Sequence, residues 1–204
     1  MSDRYTAYDT WAWLYNKTMG PQYGKTQFQW LQKMLLPHLP AQAHILDLCC
    51  GTGQLIQPLL HAGYQVTGLD GSEAMLNYAR QNAPAATYRL EDARNFHSPD
   101  TFDAAFSTSA SLNHVMSMAD LTQVFRNVYE SLHESGLFLF DLNHPGQLNK
   151  WWRGQIAEGE IDGQHAWFIT PRYSSSAAHG AFEVTIFQAP KRPLPSWSAP
   201  WRSL

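Results

Sequence analysis

Cysteine is scarce in this chain. Only two of the 204 residues are cysteines, and they are adjacent, Cys49 and Cys50. A disulfide between sequence neighbours strains the peptide that joins them, so no disulfide framework is expected. No second cysteine pair exists to complete a zinc site, and we expect no metal centre. The cysteine usage therefore favours a reduced, cytoplasmic protein.

Neither sign of charge dominates, and long apolar runs are absent. Lys and Arg number 14 against 17 Asp and Glu, a formal net charge of -3. This balance gives no electrostatic reason to expect nucleic acid or an acidic membrane as a partner. No apolar stretch approaches the roughly 20 residues that span a bilayer. The N-terminus also lacks the basic start and apolar core of a signal peptide.

Between Ala41 and Pro145, short apolar runs typical of buried strands alternate with segments whose apolar residues recur at helical spacing. Short apolar runs predict strands at residues 44–49, 65–70, 87–91, 102–108 and 137–142. Helical spacing predicts helices at residues 54–62, 73–82 and 121–132, the last capped by Gly136. Strands alternating with helices predict an α/β fold with a mainly parallel sheet and helices on both faces.

The segments on either side of this core have a different character. Residues 5–36 show helical spacing rich in aromatic residues and divide into two helices near Gly20. After Pro145, "HAWFITPRY" and "AFEVTIFQ" predict a pair of antiparallel strands. We expect one domain over residues 1–204, made of a helical lid (1–40), a core (41–145), an antiparallel excursion (146–190) and an irregular tail (191–204).

The first predicted strand leads into a glycine turn, "HILDLCCGTGQL". Gly51 and Gly53 let a ligand approach the backbone, and the helix that follows offers its N–H groups. A Walker loop would need a lysine that this turn lacks, and a dinucleotide fingerprint would need glycine where Ile56 stands. The glycines by themselves leave open a tight turn that binds nothing.

Three carboxylates strengthen the case for a ligand. Asp47 lies within the first strand, Asp70 ends the second, and Asp92 follows the third. The carboxyl ends of parallel strands meet at one edge of the sheet, where such folds bind ligands. Asp70 also lies about 20 residues past the glycines, the spacing at which an acid accepts ribose hydroxyls. The pattern predicts a nucleoside site.

These motifs resemble those of the class I S-adenosylmethionine-dependent methyltransferases. "ILDLCCGTG", "GLDGSEAML", "EDAR", "FDAAFSTSASLNHV" and "LHESGLFLFDLN" are similar to five successive motifs of that family. "YDTWAWLYN" is similar, more loosely, to the Tyr-rich lid helix of its small-molecule members. The resemblance implies a doubly wound Rossmann-like sheet of order 3-2-1-4-5, S-adenosyl-L-methionine as cofactor and S-adenosyl-L-homocysteine as product.

Residue by residue, the resemblance also implies a cofactor site. Asp70 would accept both ribose hydroxyls, Asp92 the adenine amine, and Asp47 would orient the turn and the methionine ammonium. Cys49 stands where the family has its first glycine, and we expect it to be tolerated at a negative φ. The implied cofactor-binding residues are Tyr8, Tyr15, Asp47, Cys49, Gly51, Gly53, Asp70, Gly71, Met75, Asp92, Ala93 and Ser107.

The family resemblance implies that the protein transfers a methyl group to a small-molecule acceptor, which the sequence does not identify. A sulfonium is already electrophilic, so the protein must mainly place the acceptor in line. No catalytic residue is identified; His114 is the favoured candidate for a base, ahead of Asn113 and His144. The alternatives are a protein or nucleic-acid methyltransferase, a cofactor-binding protein without catalysis and, least favoured, an NAD-linked dehydrogenase.

The C-terminal region departs from the family pattern, which usually ends in an antiparallel hairpin beside the fifth strand. We expect that hairpin to be missing here, which would leave "LFLFDL" as an apolar edge open to homodimerisation. In the rival interpretation the two late strands occupy the sixth and seventh places of the sheet.

Overall fold

A computed structural model describes residues 4–144, 146, 157–174 and 179–188. The chain divides after Leu142 into two compact units. Whether they form the single expected domain stays a prediction, and the predicted irregular tail lies outside the described residues. None of the helices in the described ranges has the length and hydropathy needed to cross a membrane.

The first unit begins with two helices, α1 (Ala12–Lys17) and α2 (Met19–Met34). One face of α2 lies directly on the glycine turn, since a Cβ built on Gly24 would stand 2.7 Å from the Cβ of Gln54. Leu31, on the same helix, is fully buried in the core. The predicted pair of N-terminal helices is thus packed against the part of the chain that the family resemblance assigns to the cofactor.

A five-stranded parallel sheet follows, with the order β3-β2-β1-β4-β5. Its strands are β1 (His44–Leu48), β2 (Gln65–Asp70), β3 (Thr87–Leu90), β4 (Phe102–Ser107) and β5 (Leu132–Phe140). The helices of this part are α3 (Ile56–His61), α4 (Glu73–Asn82) and α5 (Met118–Ser131). The predicted α/β fold and strand order are confirmed.

The central strands are apolar on both faces because helices cover both. Ile45 packs in one buried cluster with Leu31 and Ile56, whereas the next residue, Leu46, packs in a second cluster with Val124 and Val128. Burial on both faces explains why these strands read as continuous apolar runs. The same order places the carboxyl ends of β1, β2 and β3 next to one another.

The end of α5 differs from the prediction, which placed a cap at Gly136. The helix stops at Ser131, and Gly136 lies within β5, where the pairing with β4 shifts register. The last carbonyls of the helix, those of Glu130 and Ser131, accept the N–H groups of Asp100 and Thr101 at 2.9 Å. A neighbouring segment therefore supplies the donors for which a C-terminal glycine was expected.

The second unit contains three antiparallel strands rather than the predicted two, namely β6 (Ala157–Ile161), β7 (His165–Ser174) and β8 (His179–Gln188). They form a sheet of their own, and among the described strands β5 pairs with β4 alone. The interpretation in which the late strands extend the main sheet is therefore wrong. Homodimerisation through the β5 edge stays a prediction.

Candidate functional site

A cavity of about 430 Å³ lies where β1 to β4 end. This volume falls within the range of small-molecule sites. Most residues predicted from the sequence line it: Tyr8, Tyr15, Cys49, Gly51, Asp70, Gly71, Met75, Asp92, Ala93 and His114. A smaller neighbouring cavity shares Tyr15, Cys49 and Gly51 with it and is lined by Asp47.

The glycine turn is fixed to the end of β2 by hydrogen bonds. The Cys50 N–H donates to the Leu69 carbonyl at 3.0 Å, and the Gly51 N–H donates to Asp70 Oδ2 at 2.8 Å. Gly51 has a φ of 54°, in the left-handed region that glycine enters without strain. The turn between β1 and α3 is therefore held by its neighbouring strand.

Cys49 also adopts a left-handed conformation, with a φ of 64°. The expectation of a negative φ at this position is wrong. The chain must turn sharply as it leaves β1, and a side chain here carries the strain that a glycine would avoid. Burial raises the pKa of the Cys49 thiol, and the nearby Asp70 raises it further, so the thiol is neutral and unreactive.

Asp70 is held by backbone N–H groups on both of its carboxylate oxygens. Its two oxygens accept the N–H groups of Gly51 and Ser72, both at 2.8 Å. Burial raises the pKa of Asp70 to about 6, against the lowering effect of these two donors. Each oxygen retains acceptor capacity, since a carboxylate has about four lone-pair positions. Asp70 can therefore accept two further donors from the cavity.

Asp47 has a different environment. The residue is only 3% exposed and lines the smaller cavity, and none of the described residues donates a hydrogen bond to its carboxylate. Burial raises the pKa of Asp47 well above its ordinary value, and the negative charge of Asp70 raises it further. A buried carboxylate without partners is costly, and a cationic or donating ligand would relieve that cost.

Asp92 already has partners. Arg94 donates from Nε to Oδ1 at 2.7 Å and from Nη2 to Oδ2 at 2.9 Å, and the Tyr5 N–H donates to Oδ2 at 3.1 Å. Burial acts to raise the pKa of Asp92, but the hydrogen bonds and charge of Arg94 outweigh it and hold that pKa below its usual value. Arg94 is part of the quoted "EDAR" motif, and its pairing with Asp92 was not predicted.

Aromatic side chains from the N-terminal segment form another part of the wall. Tyr5, Tyr8, Tyr15 and Tyr23 all line the cavity. Tyr8 and Tyr15 meet edge to face, with ring centroids 6.1 Å apart. Burial raises the pKa of both tyrosines. The prediction covered Tyr8 and Tyr15 alone; the same helical aromatic pattern contains Tyr23, while Tyr5 precedes the quoted lid motif.

His114 joins two of these tyrosines. Its Nδ1 lies 3.0 Å from the Tyr5 hydroxyl and its Nε2 lies 3.2 Å from the Tyr8 hydroxyl. Burial lowers the pKa of His114, so the ring is neutral near pH 7 and donates at one nitrogen while accepting at the other. A role as base would require one of these bonds to open, and that role stays a prediction.

Two predicted residues lie outside both cavities. Gly53, with a φ of 72°, faces α4, where a Cβ would stand 3.0 Å from the Cβ of Ala79. Ser107 is fully buried at the end of β4. Gly53 thus has a packing reason to be glycine, and direct cofactor contacts by Gly53 and Ser107 stay predictions. Among the described residues, no group of three or more His, Cys, Asp and Glu side chains could hold a metal ion.

Comparison with known proteins points to one family. A family model described as a methyltransferase domain matches residues 45–136. A protein of Geobacillus sp. (strain WCH70), whose name gives it as a methyltransferase and states no acceptor, is 33% identical over 186 residues, which are 88% of this chain and 74% of that protein. A Bacillus subtilis protein named in the same way, YqeM, is 35% identical over 119 residues, 56% of this chain and about half of its own length (48%).

Two further similar proteins are an enzyme whose name states its substrate and a methyltransferase of known structure. A dTDP-3-amino-3,4,6-trideoxy-alpha-D-glucopyranose N,N-dimethyltransferase of Streptomyces venezuelae is 27% identical over 113 residues, 55% of this chain and 44% of that enzyme. The crystal structure of an S-adenosylmethionine-dependent methyltransferase from Clostridium acetobutylicum superposes with a TM-score of 0.62 at 21% identity, covering 91% of this chain and 83% of the other. That likeness shows a shared fold.

Proposed function

This chain belongs to the class I S-adenosylmethionine-dependent methyltransferases, and we propose that its 430 Å³ cavity, together with the smaller cavity that Asp47 lines, binds S-adenosylmethionine and a small-molecule methyl acceptor. The cofactor, when bound, supplies a methyl group on a positively charged sulfur. The protein's part is to bind the cofactor, to exclude water and to hold the acceptor in line with the S–CH3 bond.

The observation that carries this proposal is the pair of buried acids on adjacent strands, Asp47 and Asp70. Asp70 has acceptor capacity directed at the cavity, which suits the two hydroxyls of a ribose. Asp47 is buried without a hydrogen bond from the described residues, which suits an ammonium group. Adenosine and methionine, joined at sulfur, carry both of these groups.

The aromatic residues suit the reacting end of the ligand. Faces of tyrosine rings attract cations. Burial raises the pKa of the Tyr8 and Tyr15 phenols, so both rings stay protonated well above neutral pH. Tyr5 and Tyr23, about 40% exposed, lie where the cavity meets solvent and leave room for an acceptor. A small acceptor is further supported by the amino-sugar substrate named for the Streptomyces venezuelae relative.

The test compares two ligands that share a nucleoside. S-adenosylhomocysteine carries the ammonium group, whereas 5′-methylthioadenosine lacks the whole amino-acid part. We expect Asp47→Asn to weaken S-adenosylhomocysteine binding about tenfold, the scale of one charge-assisted hydrogen bond, and to leave 5′-methylthioadenosine binding unchanged. Equal losses for both ligands, or none for either, would overturn the assignment of Asp47.

Transfer itself is tested with S-adenosylmethionine labelled in its methyl group and a panel of small amines, alcohols and carboxylic acids. We expect label to enter one class of small molecule. Label that enters only added proteins, or none of the panel while the cofactor binds, would contradict a small-molecule acceptor.

A further inference from the structure

The loop after β4 contains two consecutive residues in the left-handed region. Ser109 has a φ of 61° and Ala110 a φ of 55°. Both are L-residues with a Cβ, and such conformations are strained, above all when two occur in succession. Residues in strained conformations persist only where surrounding contacts hold them, and they cluster at functional sites.

One contact that holds this turn comes from the neighbouring strand. Asp141 follows the last residue of β5, and its Oδ1 accepts the Ala110 N–H at 2.8 Å. The Asp141 N–H in turn donates to the Ser107 carbonyl at 3.2 Å, which continues the β4–β5 ladder to the base of the turn. The carboxylate is therefore placed by the sheet and not by the loop that it holds.

The turn leads directly into the site. Ser109 and His114 both line the cavity, and a short 3-10 helix, Ser111–His114, begins immediately after Ala110. The Asn113 N–H donates back to the Ala110 carbonyl at 3.0 Å, so the orientation of Ala110 fixes the start of this helix. His114, at its end, bonds to the hydroxyls of Tyr5 and Tyr8.

We propose that Asp141 is a positioning residue of this site: by accepting the Ala110 N–H it holds the Ser109–Ala110 turn in its left-handed form, and the turn presents His114 to Tyr5 and Tyr8. Asp141 is not among the residues that line the cavity. It acts through the turn and closes the aromatic side of the cavity over whatever is bound. The inference rests on the proposed function, because the bound ligand used below is the reaction product.

Four variants separate positioning from general stability. Asp141→Ala removes the acceptor, and Asp141→Asn keeps an oxygen that can accept the same N–H. Asp141→Ala combined with Ala110→Gly removes the acceptor but also the strain, because glycine enters the left-handed region readily. Asp103→Ala is the matched control: Asp103 Oδ2 accepts the His44 N–H, also at 2.8 Å, where β1 and β4 begin and not where they end.

The first measurement is the dissociation rate of S-adenosylhomocysteine by stopped-flow fluorescence. We expect Asp141→Ala to raise it about tenfold, the scale of one lost bond to a charged acceptor. Asp141→Asn and the double variant should return to within about threefold of the wild type, and Asp103→Ala should leave the rate unchanged while lowering stability. An unchanged rate in Asp141→Ala, a failure of the double variant to restore it, or an equal rise in Asp103→Ala would overturn the proposal.

The second measurement needs no ligand and keeps the two proposals distinguishable. The amides of Ala110 and Tyr5 donate to Asp141 and Asp92, so both should exchange slowly in the wild type. In Asp141→Ala we expect faster hydrogen exchange at both, and at neither in Asp103→Ala. If the wild type binds no S-adenosylhomocysteine, the proposed function fails, and this exchange pattern alone then decides whether Asp141 holds the turn.

Discussion

Two sets of side chains line the large cavity and the smaller cavity beside it, and they come from different parts of the chain. The acidic set, Asp47, Asp70 and Asp92, lies at the ends of β1, β2 and β3 or just beyond them. The aromatic set, Tyr5, Tyr8, Tyr15, Tyr23 and His114, comes from the N-terminal segment and from the loop after β4. Backbone N–H groups of adjacent turns hold Asp70, whereas His114 and Tyr5 are held by each other's side chains.

This difference separates a part of the site that is fixed by the core from a part that depends on contacts between distant segments. The acidic set is fixed by parallel strands whose positions follow from the whole core. The aromatic set depends on hydrogen bonds between segments more than 100 residues apart in sequence. We therefore infer that the acidic set contributes most of the affinity, and that the aromatic set contributes a smaller part that is expressed mainly in the dissociation rate.

The largest effect is expected at Asp70. In the proposed function Asp70 accepts two ribose hydroxyls, which Asp70→Ala would leave without an acceptor, and hydrogen bonds to a charged group contribute about 1.5–3 kcal/mol each. We expect affinity for S-adenosylhomocysteine to fall at least about 100-fold in calorimetric titration. Asp103→Ala is the control, and a similar loss there would mean that the effect is one of folding.

The raised pKa of Asp70, about 6, predicts that acid pH weakens ligand binding while it stabilises the folded, ligand-free protein. The proposed bonds from ribose hydroxyls are strongest to the ionised carboxylate, so affinity should be constant above pH 7 and fall by up to about tenfold by pH 5. A carboxyl with a raised pKa in the folded state favours folding when it is protonated. Its contribution is complete below the ordinary value of 3.8 and is lost as the pH rises through about 6.

The check compares Asp70→Asn with the wild type between pH 5 and 7. We expect the ligand-free wild type to lose more stability than the variant over this range, as measured by urea denaturation. Parallel curves for the two proteins would contradict the raised pKa of Asp70.

A smaller effect is expected in the aromatic set. Tyr8→Phe keeps the ring and removes the hydroxyl that bonds to His114 Nε2. Because one neutral hydrogen bond contributes about 0.5–1.5 kcal/mol, we expect the dissociation rate of S-adenosylhomocysteine to rise about threefold to tenfold with little change in the association rate. Tyr129→Phe, at a tyrosine that is 81% exposed, is the control. A loss confined to the association rate would contradict the role given to the aromatic set.

The smallest effect tests the strain at the glycine turn. Cys49→Gly places a residue without a Cβ at a φ of 64°, and we expect the free energy of unfolding to rise by about 1 kcal/mol. Cys50→Gly is the control. Cys50 is buried and its backbone is not in the left-handed region, so we expect this variant to lower the free energy of unfolding. Urea denaturation measures both, and a loss in Cys49→Gly equal to that in Cys50→Gly would contradict the strain.

The acidic set could be predicted from the sequence because each of its acids lies in, at the end of, or just after a short apolar run that predicts a strand. Asp70 stands at the end of an apolar run, and the parallel order brings it beside Asp47. The parallel sheet with helices on both faces followed from the alternation of strand and helix patterns, whereas the strand order was implied by the family resemblance. The site roles given to these acids stay predictions until a ligand is bound.

The aromatic set and its supports could be predicted only in part. The sequence pointed to Tyr8, Tyr15 and His114 separately, but nothing local to any of them indicates that one imidazole bonds to two tyrosines. The contact between Asp141 and Ala110 joins residues 31 positions apart and depends on the β4–β5 register. Cys49 gave a local signal that was misread, since only the backbone shows its positive φ.

The most direct test of the central claim is a calorimetric titration of the wild-type chain at pH 7.5 with S-adenosylmethionine and, separately, with NAD. We expect saturable one-to-one binding of S-adenosylmethionine that Asp70→Ala abolishes, and no saturable binding of NAD. Saturation by NAD with no heat from S-adenosylmethionine would contradict the claim that the acidic set is built for that cofactor.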